Sequence, residues 1–327
     1  MTTSQHPYLG IMFRCQLPPE RLVEYARRAE AAGFGELWIV EDCFFAGGIA
    51  SVATALHATT TIKIGLGILP AVVRNPAFAA MELATLARLH PGRLVAGLGH
   101  GVASWMRQVG AFPPSQVAAL HEVTNTVRRL LNGEEVAFHG SYVHLDHVQL
   151  EFPPQQPPPI ALGVRGPRSL ALSGQVADGT ILAENSSPSY ITWVRQHIAR
   201  GQQEAGRTDH HQLIVYTHCC IDADPAAARQ RLRKEIAPVM ASGAINVQLA
   251  PMGILPEVEA MALQGGADYL VETMPDEWLD QLAVVGTPDD ARTSIERLAA
   301  AGADSVVLVP LLDEQDIPFE QWAGLIG

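Results

Sequence analysis

The chain has 327 residues and a formal charge of −12, with 22 Lys and Arg against 34 Asp and Glu. That balance, without any Lys/Arg cluster, excludes a nucleic-acid surface, whose footprint is a basic patch or stripe, and no apolar run reaches the ~18 residues a membrane helix needs. Four cysteines without C-x-x-C spacing suit a reducing compartment, and the opening MTTSQHPYLG has neither the basic nor the apolar part of a secretory leader, so a cytoplasmic protein is expected.

In chain order, short apolar runs alternate with amphipathic segments, the pattern of repeated βα units around a parallel sheet. Leu9–Phe13 reads as the first strand and Pro19–Ala32 as a helix stopped by Gly33, followed by a strand over Leu37–Val40. A helix over 47–58 precedes a strand from Ile62 to Gly67, and a helix over 76–90 precedes a strand over Leu94–Leu98. The fourth helix covers 115–132. The segment from about 134 to 159 then departs from the alternation: Phe138–Tyr142 and Val148–Leu150 read as an inserted hairpin with a proline-rich return, PPQQPPP. Strands follow near Ile160–Leu162, Thr180–Ala183 and Leu213–His218, with helices over 167–176, 188–205 and 224–242. The stretch from Met252 to Glu277 is assigned to helix. Thr287-Pro288-Asp289-Asp290 opens the last helix with an N-cap, a first-turn proline and acidic residues, Gly302 ends it, and Val306–Val309 is the final strand. Eight strands make a single (β/α)8 TIM barrel over residues 1–327, with the hairpin inserted after the fourth helix.

In such a barrel the chemistry sits at the C-terminal ends of the strands. Glu41 and Asp42 follow the second strand, Gly67 and Ile68 end the third, Gly99, His100 and Gly101 follow the fourth, and Glu184 and Asn185 follow the sixth. After the fifth comes GVRGPR. Pro167 suits a first helical position, so Gly163, Val164, Arg165 and Gly166 form a turn offering backbone N–H groups at a helix N-terminus. Such an end attracts phosphate, and Arg165 and Arg168 add bidentate donors. The same residues also serve a plain βα turn whose glycines are needed only for backbone angles. His144 and His147 lack the further ligands a metal site requires, so no metal is expected. Neither a G-x-S-x-G elbow nor a histidine beside Cys43 suggests a nucleophile.

Five blocks in order, LVEYARRAEAAGFGELWIVED, TIKIGLGILPAVVRNPAFAAMELATL, RLVAGLGHGVASWMRQVG, GVRGPRSLALSGQVADGTIL and VVGTPDDARTSIERLAAAGADSVVLVP, resemble the bacterial luciferase-like flavin and deazaflavin oxidoreductases, above all the branch similar to methylenetetrahydromethanopterin reductase. The resemblance implies a (β/α)8 barrel, a homodimer, and coenzyme F420 or FMN as cofactor. It places Asp42 beside the coenzyme ring, Gly67-Ile68 at a non-proline cis peptide whose bulge backs that ring, His100 near the ring or its side chain, and Val164, Arg165, Gly166, Pro167 and Arg168 on the coenzyme phosphate, with Gly99 and Gly163 counted among the cofactor-binding residues. Two residues depart from the family: Cys43 stands where many relatives have histidine, and His100 replaces a small or hydroxyl residue. The implied activity is hydride transfer between the deazaflavin and a small organic substrate, with Asp42, Glu41 and His100 as candidate catalytic groups. The alternatives are an FMN-dependent monooxygenase fed by a partner reductase, and a barrel that binds flavin without catalysis.

Overall fold

The computed structural model describes residues 7–312 and 317–326; the leader reading of residues 1–6 lies outside them. In chain order the elements are β1 (Tyr8–Phe13), α1 (Leu22–Ala32), β2 (Glu36–Ile39), α2 (Gly48–Ala58), β3 (Lys63–Pro70), α3 (Pro76–Leu89), β4 (Leu94–Gly99), α4 (Ala103–Gln108) and α5 (Gln116–Leu131). Then come β5 (Val136–His139), β6 (His144–Val148), β7 (Ile160–Gly163), α6 (Pro167–Val176), β8 (Gly179–Leu182), α7 (Pro188–Glu204) and β9 (Gln212–Ile221). The last group is α8 (Pro225–Ala241), α9 (Asn246–Leu249), α10 (Leu255–Thr273), α11 (Asp276–Leu282), β10 (Val284–Gly286), α12 (Pro288–Ala300), β11 (Ser305–Pro310) and α13 (Phe319–Ala323).

The strands of the main sheet run β10-β9-β11-β1-β2-β3-β4-β7-β8, with β9 also paired to β8. This is a closed (β/α)8 barrel whose eight staves are the eight strands read from the sequence. The barrel strands read as unbroken apolar runs because they are buried on both faces. The ninth strand, β10, adds to β9 beside Cys219–Ile221. Helix α4 was not anticipated, so the inserted β5–β6 pair follows the fifth helix and not the fourth. Its turn also falls earlier than expected. The Glu122 carboxylate accepts from the N–H groups of Ser141, Tyr142 and Val143 at 2.8–3.0 Å, which makes 140–143 the turn and pairs His139 with His144.

Two compact units make up the chain. One consists of Phe13–Ile181 and His197–Gln212. In it Trp38 on β2 lies opposite Gly65 on β3, and a Cβ at Gly65 would come within 2.3 Å of the indole. The large ring thus requires the missing side chain. Asp178, just before β8, accepts from Arg128 at 2.9 Å and from the Ile160 N–H at 2.8 Å. These charges lie at the N-terminal ends of the strands, the face of a barrel that usually serves stability and not catalysis.

The other unit holds the remaining described residues. Leu232, Ile236 and Met240 of α8 pack with Val258 and Leu270 of α10 and with Leu279 and Leu282 of α11 in one apolar cluster. Helix α10 occupies the region assigned to helix, but Gly265 and Gly266 have non-helical backbone angles and break it. Helix α12 opens with the expected cap: Thr287 Oγ1 accepts from the Asp290 N–H, and Asp290 Oδ2 accepts from the Thr287 N–H.

Candidate active site

Four neighbouring strand ends in the first unit carry the residues of the candidate site: those of β2, β3, β4 and β7. The pairing of β3 with β4 slips between Leu66 and Leu69, so Gly67 and Ile68 form a bulge, and the Gly67–Ile68 peptide is cis, as the resemblance implied. The Ile68 side chain lies against three glycines on the adjoining strands and is the nearest neighbour of two, Gly99 and Gly163, whereas Gly97 faces the Leu66 carbonyl first. A Cβ at Gly97, Gly99 or Gly163 would approach Ile68 to 3.1, 2.8 or 2.7 Å respectively. Gly99 and Gly163, read as cofactor-binding, therefore lack side chains for a packing reason that is complete without a ligand.

After β2, the two acidic residues have different surroundings. Glu41 is clamped: Arg74 donates to its two oxygens at 2.5 and 2.8 Å, and the Gly48 N–H at the start of α2 donates at 2.7 Å. Both oxygens are thus engaged in holding the α2 start and the loop after β3. Asp42, half-buried, accepts from the Cys15 thiol at 3.5 Å. Burial, then the Asp42 charge and that hydrogen bond, push the Cys15 thiol up to about 12 against the opposing pull of Arg14. Cys43 is pushed up as well, by burial and by the charges of Glu41 and Asp42. Neither thiol is a thiolate near neutrality.

His100 links β4 to the turn after β7. Its Nε2 shares a 2.9 Å hydrogen bond with Ser169 Oγ, in the first turn of α6. Its Nδ1 is buried and has no hydrogen-bond partner. Burial pushes the imidazole below its ordinary value, the backbone of Gln116 opposing, so the ring is neutral at pH 7 with one donor and one acceptor nitrogen. Helix α6 opens on Pro167 behind Gly166, and no side chain caps it. Val164 is buried, whereas Arg165, Pro167 and Arg168 are exposed around that opening. A helix start without a side-chain cap leaves its first N–H groups without an intrahelical acceptor.

In the second unit, the Glu184 carbonyl accepts from Gln248 Nε2 at 2.6 Å. Asn185 sits at φ 66°, an uncommon conformation for a residue other than glycine, with its Oδ1 buried and without a hydrogen-bond partner. The hairpin histidine His147 pairs with Glu135 at 2.7 Å, and among the described residues no group of three or more His, Cys, Asp or Glu is placed to hold a metal ion. Cys15, Arg74 and Ser169 were not anticipated. No pattern on their own elements marks them; the Arg74–Glu41 pair spans 33 residues and the Ser169–His100 link 69.

Residues 3–305 match the family model of the luciferase-like monooxygenases. The chain belongs to that family, and it is an oxidoreductase. It is 29% identical to 5,10-methylenetetrahydromethanopterin reductase of Methanolobus tindarius over 91% of this chain and 92% of that one. An F420-dependent glucose-6-phosphate dehydrogenase of Nakamurella multipartita is 31% identical over 67% of this chain and 68% of its own. The fold matches that of the coenzyme F420 dependent tetrahydromethanopterin reductase of Methanopyrus kandleri with a TM-score of 0.85, at 24% identity over 98% and 99% of the two chains.

Proposed function

We propose that the protein is a coenzyme F420-dependent oxidoreductase that moves a hydride between the deazaflavin and a small organic substrate. The observation that carries this reading is the convergence, within one unit, of the Gly67–Ile68 bulge, the His100–Ser169 link and the uncapped start of α6 flanked by Arg165 and Arg168. The unpartnered Nδ1 of His100 and the unsatisfied N–H groups of α6 fit a coenzyme with a polar ring system and a phosphate-bearing tail. The N–H groups of the turn, with Arg165 and Arg168, would hold the phosphate; Asp42 and the backbone of Gly67 and Ile68 would face the ring. When bound, the deazaflavin supplies the hydride chemistry. The protein's part is to position the ring, and the neutral His100 presents one nitrogen as a fixed donor or acceptor. The named relatives, an F420-dependent dehydrogenase among them, support the reading.

The family's description as monooxygenases favours one second reading, an FMN-dependent oxygenase served by a partner reductase. A cytoplasmic homodimer belongs to either reading; among the described residues no helix is long and apolar enough to cross a membrane. Titration of the chain with coenzyme F420 and with FMN, followed by fluorescence quenching, separates the two. Micromolar or tighter F420 binding, weakened at least about tenfold by Arg165→Ala with Arg168→Ala, is expected, a loss of one to two charge-assisted contacts. Preference for FMN, or affinity unchanged in the double variant, overturns the first reading.

A further inference from the structure

The loops that follow β2, β3 and β4 expose apolar side chains in an unusual concentration. Phe44 and Phe45 are 67% and 52% exposed after β2, Val73 is 40% exposed after β3, and Val102 and Val109 are 44% and 46% exposed after β4. These three strands are consecutive neighbours in the sheet, so the five residues occupy one side of the rim above the candidate site, all within one compact unit. Large exposed apolar side chains gathered at one place mark a surface that binds something, whereas isolated ones need no explanation. The arginines in the same loops are already engaged. Arg74 is clamped on Glu41, and the Arg107 guanidinium lies 4.1 Å from the centre of the Phe112 ring.

We infer that this rim is the substrate-facing wall of the site and that it selects an uncharged substrate with an extended apolar or aromatic surface, not a phosphorylated or carboxylated one. The inference rests on the proposed oxidoreductase site only in taking these strand ends as the substrate's entrance. It departs from the specificity that the name of the glucose-6-phosphate dehydrogenase relative carries. The occupant is a small molecule, because the patch is continuous with the strand ends that hold Asp42 and the bulge. A second exposed apolar group, Met81, Leu89 and Phe152, lines a groove of about 510 Å³ on the α3 flank and provides the control.

The test titrates the full chain, with and without coenzyme F420, with the neutral fluorescent probe N-phenyl-1-naphthylamine. Saturable binding is expected, at least tenfold weaker in the Phe44→Ser/Phe45→Ser double variant, unchanged in Phe152→Ser, and not displaced by glucose 6-phosphate. Both phenylalanines are exposed, so the double variant should melt at the wild-type temperature and quench coenzyme fluorescence as the wild type does. Absence of saturable binding, an equal loss in Phe152→Ser, or displacement by glucose 6-phosphate overturns the inference. So does unchanged probe binding with an altered sedimentation coefficient, which would make the rim a contact between copies. Failure of F420 to bind the wild type would sink the proposed function instead, and the probe titration without coenzyme still decides the rim.

Discussion

Replacing Glu41 separates a structural carboxylate from a catalytic one. Its side chain is 12% exposed and that of its partner Arg74 is 26% exposed, between the fully buried and the surface regimes. Breaking a buried pair costs about 3–5 kcal/mol and an exposed one about 0.2–1 kcal/mol. Glu41→Ala removes two bonds to Arg74 and the bond from the Gly48 N–H, while Arg74 recovers part of its hydration; a loss of about 2–3 kcal/mol follows from interpolating between those limits. For 327 residues the unfolding entropy is about 0.7 kcal/mol/K, so Tm should fall by roughly 3–4 °C. Glu41→Gln keeps an acceptor for Gly48 and one for Arg74, and should lose about half as much, roughly 2 °C. Scanning calorimetry measures both, and F420 titration of the Gln variant at 20 °C should match the wild type within about twofold. A Gln variant that melts as the wild type does but binds coenzyme more than ten times more weakly would refute the structural assignment and return Glu41 to the ligand site.

Three further outcomes can be checked. Glu30 accepts from the N–H groups of Thr60, Thr61 and Ile62 and from the Thr61 hydroxyl; burial raises its carboxyl, but these donors outweigh it and hold the group down at about 2 against an ordinary 4.5. A depressed carboxyl contributes stability above its unfolded value, so about 1 kcal/mol, after discounting for solvent screening, should vanish as pH falls from 4.5 towards 2; Glu30→Gln should flatten urea-denaturation stability across that window, and an unchanged slope counts against the linkage. Cys15, protonated at pH 8, should escape iodoacetamide in the native protein, and Asp42→Asn should accelerate its alkylation as read by mass spectrometry; rapid modification of the wild-type residue contradicts the thiol's placement. Gly163→Ala should cost about 1–2 kcal/mol because only the Ile68 side chain must yield, whereas Gly97→Ala, whose Cβ would lie 2.1 Å from the Leu66 carbonyl oxygen, should cost more than about 3 kcal/mol in the same denaturation assay. Equal losses would show that the backbone at Leu66 moves as readily as the side chain.

Much of the barrel is legible because each stave is an apolar run set between a helix stop and a helix start. Gly33 and Gly302 both end helices at left-handed φ, 99° and 118°, a conformation that costs glycine nothing. What escaped is short or interrupted. β10 has three residues and α4 has six, too few to display a period, and Gly265-Gly266 breaks the phase of α10 between its halves. The hairpin turn was misplaced because a carboxylate 19 residues earlier, on α5, fixes it. The site divides in the same way. The turn after β7 is visible because glycine and proline announce a helix start locally. The partners of Asp42, Glu41 and His100 lie 27, 33 and 69 residues away, and no pattern on one element points to them.

The glycines around Ile68 show why such partners matter to function. Gly99 and Gly163 look, strand by strand, like places for a ligand to approach the backbone, and Gly97 stands beside them. Together they border the space into which Ile68 turns, and the bulge of β3 packs against β4, its direct neighbour in the sheet, and β7, the next strand beyond it. If Ile68 occupies that space, the backbone of the bulge is held from behind by β4 and β7. A planar ring pressed against its other side then meets a surface that cannot retreat without moving two neighbouring strands. If the bulge faces the coenzyme ring as proposed, the rigidity it needs comes from residues that need not touch the ring, among them glycines whose own role is packing.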